Sequence, residues 1–120
     1  MPAAAQHLEQ YRRNKAFFEA LFSYKPEQPE WMMTVAFYCA VHLVESWLAS
    51  LSSPIHNESH NDRMSCMDRV PELKRVRKPY IELEKDSRSA RYGCVRFTFK
   101  HAEAARTRLS EIEAALLPPG

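Results

Sequence analysis

The sequence predicts an all-α protein, an up-and-down bundle of four to five helices forming a single domain over residues 1–120. Three observations carry that expectation. Only two glycines occur in 120 residues, whereas all-β chains use glycine repeatedly at hairpin turns and bulges. The segment Trp31–Ser50 is apolar nearly all round, as a helix packed on several sides must be. Near the C-terminus, Ala102, Ala105, Leu109, Ile112 and Leu116 follow the three-and-four spacing of one helix face without a gap.

The first helix is expected over Ala3–Phe22, with Leu8, Tyr11, Phe18 and Phe22 on its apolar side and the aliphatic stem of Lys15 filling the missing turn. It gives way to "SYKPEQPE", where Pro26 and Pro29 remove backbone donors and force an extended connection. After the second helix, Trp31–Ser50, comes a polar loop broken by Pro54. Ser59 followed by Asp62 has loose capping-box spacing, so a third helix starts near His60 with Met64, Met67 and Val70 turned inward. Pro71 interrupts or kinks it. The run from Pro71 to Gly93 reads as one long helix with a second interruption at Pro79, or as two pieces, stopping at Gly93. Cys94–Phe99 alternates like a strand but has no partner, so it is taken as an extended connection. Thr98 can cap the last helix.

Composition excludes several classes. Lys+Arg of 17 against Asp+Glu of 15 leaves +2, too balanced for total charge alone to indicate nucleic acid. The three cysteines, Cys39, Cys66 and Cys94, are odd in number and contain no CxxC pair, which argues against a disulfide framework or zinc knuckle and for a reduced, cytoplasmic setting. The first fifteen residues lack the apolar core of a secretory signal. Trp31–Leu51 is long enough to span a bilayer, but Thr34, His42, Glu45 and Ser46 lie inside it and no basic residues flank it closely. A helix at the centre of a bundle is therefore expected, with no membrane association.

Several polar groupings are chemically suggestive. His42 and Glu45 are three apart and share a helix face, and a pair buried there must be hydrogen-bonded. It reads either as a polar cluster fixing helix register or as one wall of a site. His56 and His60 are four apart, a metal-ligand spacing if the intervening residues are helical, with His42 as a third ligand. The HExxH pattern is absent and Arg63 suits an anion better than a cation, so neither metal nor cofactor is expected. Basic residues gather later, at Arg69, Lys74, Arg75, Arg77, Lys78, Arg88, Arg91 and Arg96, with Tyr80 and Tyr92 close to two of the runs. They read as a solvated helix face or as a phosphate-binding surface, since arginine matches phosphate oxygens through two donors at once. Arg96 and His101, about one helical turn apart, are a pair that can cleave RNA without metal. The guanidinium would steady the phosphorane while the imidazole moves the proton at the 2′-hydroxyl.

The stretches "WMMTVAFYCAVHLVESWLA", "HNESHNDR" and "YIELEKDSRSARYG", in that order, resemble the HEPN domains, a helical-bundle family named for nucleotide binding in higher eukaryotes and prokaryotes. The resemblance implies a four- or five-helix bundle, often a homodimer, in toxin–antitoxin, antiphage or RNA-processing systems. It also implies a metal-independent endoribonuclease that uses an Arg-x4-6-His motif from two protomers at a shared cleft. That motif falls on Arg96 and His101 as the catalytic pair, with Phe97 where active members commonly have a polar residue. The alternative implied by the same family is a non-catalytic module that binds RNA, nucleotide or a partner protein such as an antitoxin or a nucleotidyltransferase-like chain. In such a bundle His42 faces inward. There Glu45, His56, His60, Arg63, Arg88, Arg91 and Tyr92 are expected to gather into one polar cluster, either a structural network or an anion pocket.

Overall fold

A computed structural model describes residues 2–118. Its elements are α1 (Ala4–Tyr24), α2 (Pro29–Ala49), α3 (His60–Arg69), a 3-10 turn (Pro71–Leu73), α4 (Lys74–Tyr92) and α5 (Phe99–Leu116). No strand occurs among the described residues. The all-α expectation holds.

α2 is the hub, packing against α1, α4 and α5, while α4 and α5 also pack on each other and α3 leans on α4. Pro29 occupies the first turn of α2, where its missing N–H would be unpaired in any case, so the helix begins two residues before the expected Trp31. α2 is long and apolar enough to cross a membrane, but 67% of its most apolar window is buried inside the fold. Most of the surface that lipid would cover is thus covered by protein.

α1 and α5 flank α2 and are joined to each other by long side chains. Lys15 Nζ lies 2.6 Å from Glu113 Oε2, Tyr11 donates to the same carboxylate, and Arg106 pairs with Glu19. The buried face of α1 carries His7, Tyr11, Phe18 and Leu21, one position away from the expected Leu8 and Phe22, which are half-buried. Tyr11 and Phe18 are buried as expected, and His7 joins them beside Leu8.

Ser59 Oγ accepts the Asp62 N–H at 3.1 Å and starts α3 as its spacing suggests. Pro71 opens the 3-10 turn between α3 and α4. The expected break at Pro79 does not occur, because α4 runs through it unbroken with Pro79 itself buried. The missing hydrogen bond and ring clash cost about 3 kcal/mol. Fully burying Tyr80 and Leu83 on either side of the next turn returns roughly 1.5–3 kcal/mol each. α4 stops at Gly93 as expected, though Gly93 is not left-handed. The positive φ of 52° falls on Cys94. Gly93 serves close approach instead, since a Cβ there would sit 3.0 Å from the Ser89 carbonyl oxygen.

Neighbouring Phe17 and Phe18 separate core from surface, being 54% and 0% exposed. Phe18→Ala is expected to cost about 3–5 kcal/mol in urea unfolding, whereas Phe17→Ala stays within about 0.5 kcal/mol of the parent. Equal effects would contradict this packing.

Candidate functional site

Glu45, 2% exposed on the inner face of α2, is the centre of a polar cluster in the bundle. Its Oε1 accepts the Asn57 backbone N–H at 3.1 Å, and its Oε2 accepts Asn57 Nδ2 at 3.0 Å and Arg63 Nε at 2.9 Å. One carboxylate thereby anchors the 50–59 loop and the first turn of α3. Arg63 Nη1 goes on to donate to the Tyr80 hydroxyl on α4 at 3.4 Å.

Tyr80 continues the chain of contacts. Its ring lies parallel to that of His60, with centroids 6.3 Å apart, and Phe37 meets both rings. His60 Nε2 lies 3.7 Å from Glu84 Oε1, and Glu84 Oε2 accepts Arg88 Nη2 at 2.6 Å. On the other side of Glu45, His7 Nδ1 and His42 Nδ1 share a hydrogen bond of 3.0 Å, and the His56 ring lies 6.3 Å from that of His7. Four of the chain's five histidines thus surround one buried ion pair.

The structure therefore brings His42, Glu45, His56, His60, Arg63 and Arg88 into one neighbourhood and sets Arg91 and Tyr92 outside it. Arg91 Nη1 donates to Tyr38 Oη at 3.3 Å, and its guanidinium sits 5.8 Å from the Tyr38 ring centroid and 5.1 Å from that of Tyr92. Tyr92 is 76% exposed. Arg96 and His101 have separate contacts. Arg96, 96% exposed in its side chain, reaches Glu30 at 3.9 Å, while His101 stands at the third position of α5 and accepts the Thr98 N–H through Nδ1 at 3.0 Å. There it fills the capping-box position usually held by Glu or Gln. With Nδ1 engaged as an acceptor, the neutral ring carries its proton on Nε2.

Sequence reasoning missed His7, Asn57, Tyr80 and Glu84 as members. His7 stands four residues before Tyr11, and Glu84 stands midway between Tyr80 and Arg88 at intervals of four, so both signals were present as helical spacing. Asn57 lies in the loop, where periodicity says nothing.

Burial, aided by the charges of His56 and Arg63 and opposed by Glu45, holds the pKa of His7 below its ordinary value. Burial followed by His7 and Arg63 does the same for His42, again with Glu45 opposing. Burial also works against the charge on Arg63, but Tyr80 and Glu45 together outweigh it and keep the guanidinium cationic. Tyr80 is raised chiefly by burial and stays a phenol at neutral pH, so Glu45 supplies the counter-charge. The Cys39 thiol is pushed up to about 12 by burial, which removes it as a nucleophile.

Comparison of the chain with protein families, curated proteins and solved structures returns no match. The functional reading rests on residues and geometry.

Removing one member of the Glu45–Arg63 pair strands the other in the core. Arg63→Met is expected to cost about 3–5 kcal/mol, and combining it with Glu45→Leu to cost much less, as a double-mutant cycle in urea would show. Because the folded pKa values of His7 and His42 lie below the unfolded value, the unfolded chain takes up protons first as pH falls below about 6.5. Stability is thus fully present above that pH and declines below it. A His7→Gln/His42→Gln chain should show a flatter profile of urea midpoint against pH, and an equally steep one would remove these rings from the account.

Proposed function

We propose that this chain is an RNA-directed helical module of the HEPN type, holding single-stranded RNA on an aromatic and arginine-bearing face formed by α2 and the end of α4. The observation that carries this reading is Arg91 lodged between the Tyr38 and Tyr92 rings beside Trp31, which is 61% exposed. Glu30, Trp31, Thr34, Ala90, Arg91 and Tyr92 line one shallow groove. A second, which shares Trp31 and Thr34, continues over Phe17, Tyr38 and His42. Exposed aromatic rings offer π-faces to bases whatever their sequence, and arginine adds phosphate pairing and cation–π contact. The sequence resemblance supports the same assignment.

Seven of the 17 basic residues fall into two patches. Lys74, Arg75, Arg77 and Lys78 are exposed on the first turns of α4, while Arg88, Arg91 and Arg96 lie at or beyond its far end. The second patch adjoins the aromatic face, so that is where the phosphates of a bound strand would run. Glu84 neutralises part of Arg88, which leaves Arg91 and Arg96 as the principal contacts.

Cleavage by Arg96 and His101 is the second reading, favoured by the exposure of both side chains near the start of α5; His101 must give up its Thr98 N–H bond at Nδ1 before the ring can accept the 2′-hydroxyl proton. The two groups make no direct bond within one chain, so such a site would be composed from two copies of the protein.

Tyr92→Ala is expected to weaken binding of a labelled single-stranded RNA about 5–150-fold, the range of roughly 1–3 kcal/mol for one base stack, without changing the melting temperature. Arg96→Ala should reduce the slope of log affinity against log salt by about one. Unchanged affinity in Tyr92→Ala and Arg91→Ala would refute the binding face. For the second reading, the parent should cleave RNA in EDTA and His101→Ala should not. Intact RNA after incubation with folded parent protein would leave binding alone.

A further inference from the structure

His7 is 7% exposed near the start of α1, and among the described residues nothing bonds its Nε2. A buried imidazole nitrogen without a partner costs on the order of 1–3 kcal/mol and calls for a specific cause. The other ring nitrogen, Nδ1, is committed to His42. A ring nitrogen of His7, a ring nitrogen of His56 and a carboxylate oxygen of Glu45 all lie within 4.8 Å of one another. Since Nδ1 is engaged, Nε2 is the nitrogen His7 has left to offer.

The hydrogen bonds of Glu45 decide which of its oxygens is open. Oε2 already accepts from Asn57 Nδ2 and Arg63 Nε, whereas Oε1 accepts only the Asn57 N–H and keeps one lone pair. Two imidazole nitrogens and one carboxylate oxygen make a three-ligand set of the His2Glu type. The His7–His42 bond has the form of an outer-shell contact, in which a ligating histidine is oriented through its other nitrogen.

We propose that His7, His56 and Glu45 form a site for one borderline divalent cation of the zinc class, with His42 as the residue that positions His7. Nitrogen and oxygen donors of this kind suit zinc, and half-buried His56 leaves the fourth position open to water. Ligands of one tetrahedral ion sit about 3.3–3.6 Å apart, so groups lying within 4.8 Å of one another need draw in by no more than about 1.5 Å. His56 is on the 50–59 loop, so its own approach to the other two ligands needs no helix to move. Arg63 stays on Oε2, so the carboxylate bridges guanidinium and metal. The ion would clamp the start of α1 to α2 and the loop. This assignment departs from the sequence reading, which expects no metal and offers His42, His56 and His60 as the only alternative. It does not involve Arg91, Tyr92 or Arg96, the principal residues of the RNA proposal, although His42 also borders the second groove.

The test is isothermal titration of chelator-stripped protein with zinc sulfate, paired with the visible absorption of the cobalt(II) form. The parent should bind one equivalent and give the spectrum of a four-coordinate ion. His56→Ala and His7→Gln should abolish that equivalent, with unchanged circular dichroism. His42→Ala should weaken it about 10–100-fold, and His60→Ala and His101→Ala should retain it. Because His56 is a half-buried loop residue, its variant decides the question if His7→Gln fails to fold. Absence of stoichiometric binding in the parent, retention in His56→Ala, or loss in His60→Ala would overturn the proposal. Retention of zinc by Tyr92→Ala keeps the outcome separate from that of the RNA assay.

Discussion

Glu45 lies on the inner face of α2, and its charge dictates what must surround it. A carboxylate removed from water in the middle of an apolar helix is destabilising by several kcal/mol unless donors and an opposite charge replace its hydration. Here the replacements come from two places distant in sequence, Asn57 in the loop and Arg63 on α3. Satisfying the carboxylate therefore fixes the path of the chain after α2. The loop is drawn back over α2, α3 is set beside α4, and Tyr80 closes the far side of the guanidinium.

This buried pair need not add net stability. Ion pairs of this kind often do no better than well-packed apolar side chains of the same size. What it supplies is a definite arrangement, because an apolar contact accepts many registers, whereas three donors on one carboxylate accept few. α3 depends on this most. At 10 residues it is the shortest of the five helices, and its ties to Glu45 and Tyr80 add to the burial of Cys66 and Met67 in holding it. His7 and His42 occupy the rim of the same cluster, where burial favours their neutral forms and leaves ring nitrogens available for hydrogen bonds or coordination.

The sequence revealed much of the fold because the signals were local. The apolar girth of α2, the spacing along α5 and the Ser59 cap each determine an element from a few neighbouring residues. Pro79 was misleading for a tertiary reason, since burial of its neighbours outweighs a local backbone cost. For the site, spacing found His42, Glu45 and Arg63, but it did not find His7, which is buried next to Leu8 where Leu8 alone was expected. Arg91 and Tyr92 shared a motif with Arg88, yet a turn of helix points them at Tyr38 and solvent instead of Glu84. Which members of a motif face inward is settled by packing, and a single sequence does not contain that.

Glu45 holds the 50–59 loop in place through the Asn57 amide. Native-state hydrogen exchange of that one amide measures this most directly. If the carboxylate anchors the loop, Asn57 N–H should exchange as slowly as the core amides of α2, through unfolding of the whole domain, and far more slowly than its loop neighbours. Exchange at the rate of an unprotected loop would mean that Glu45 does not organise this part of the molecule.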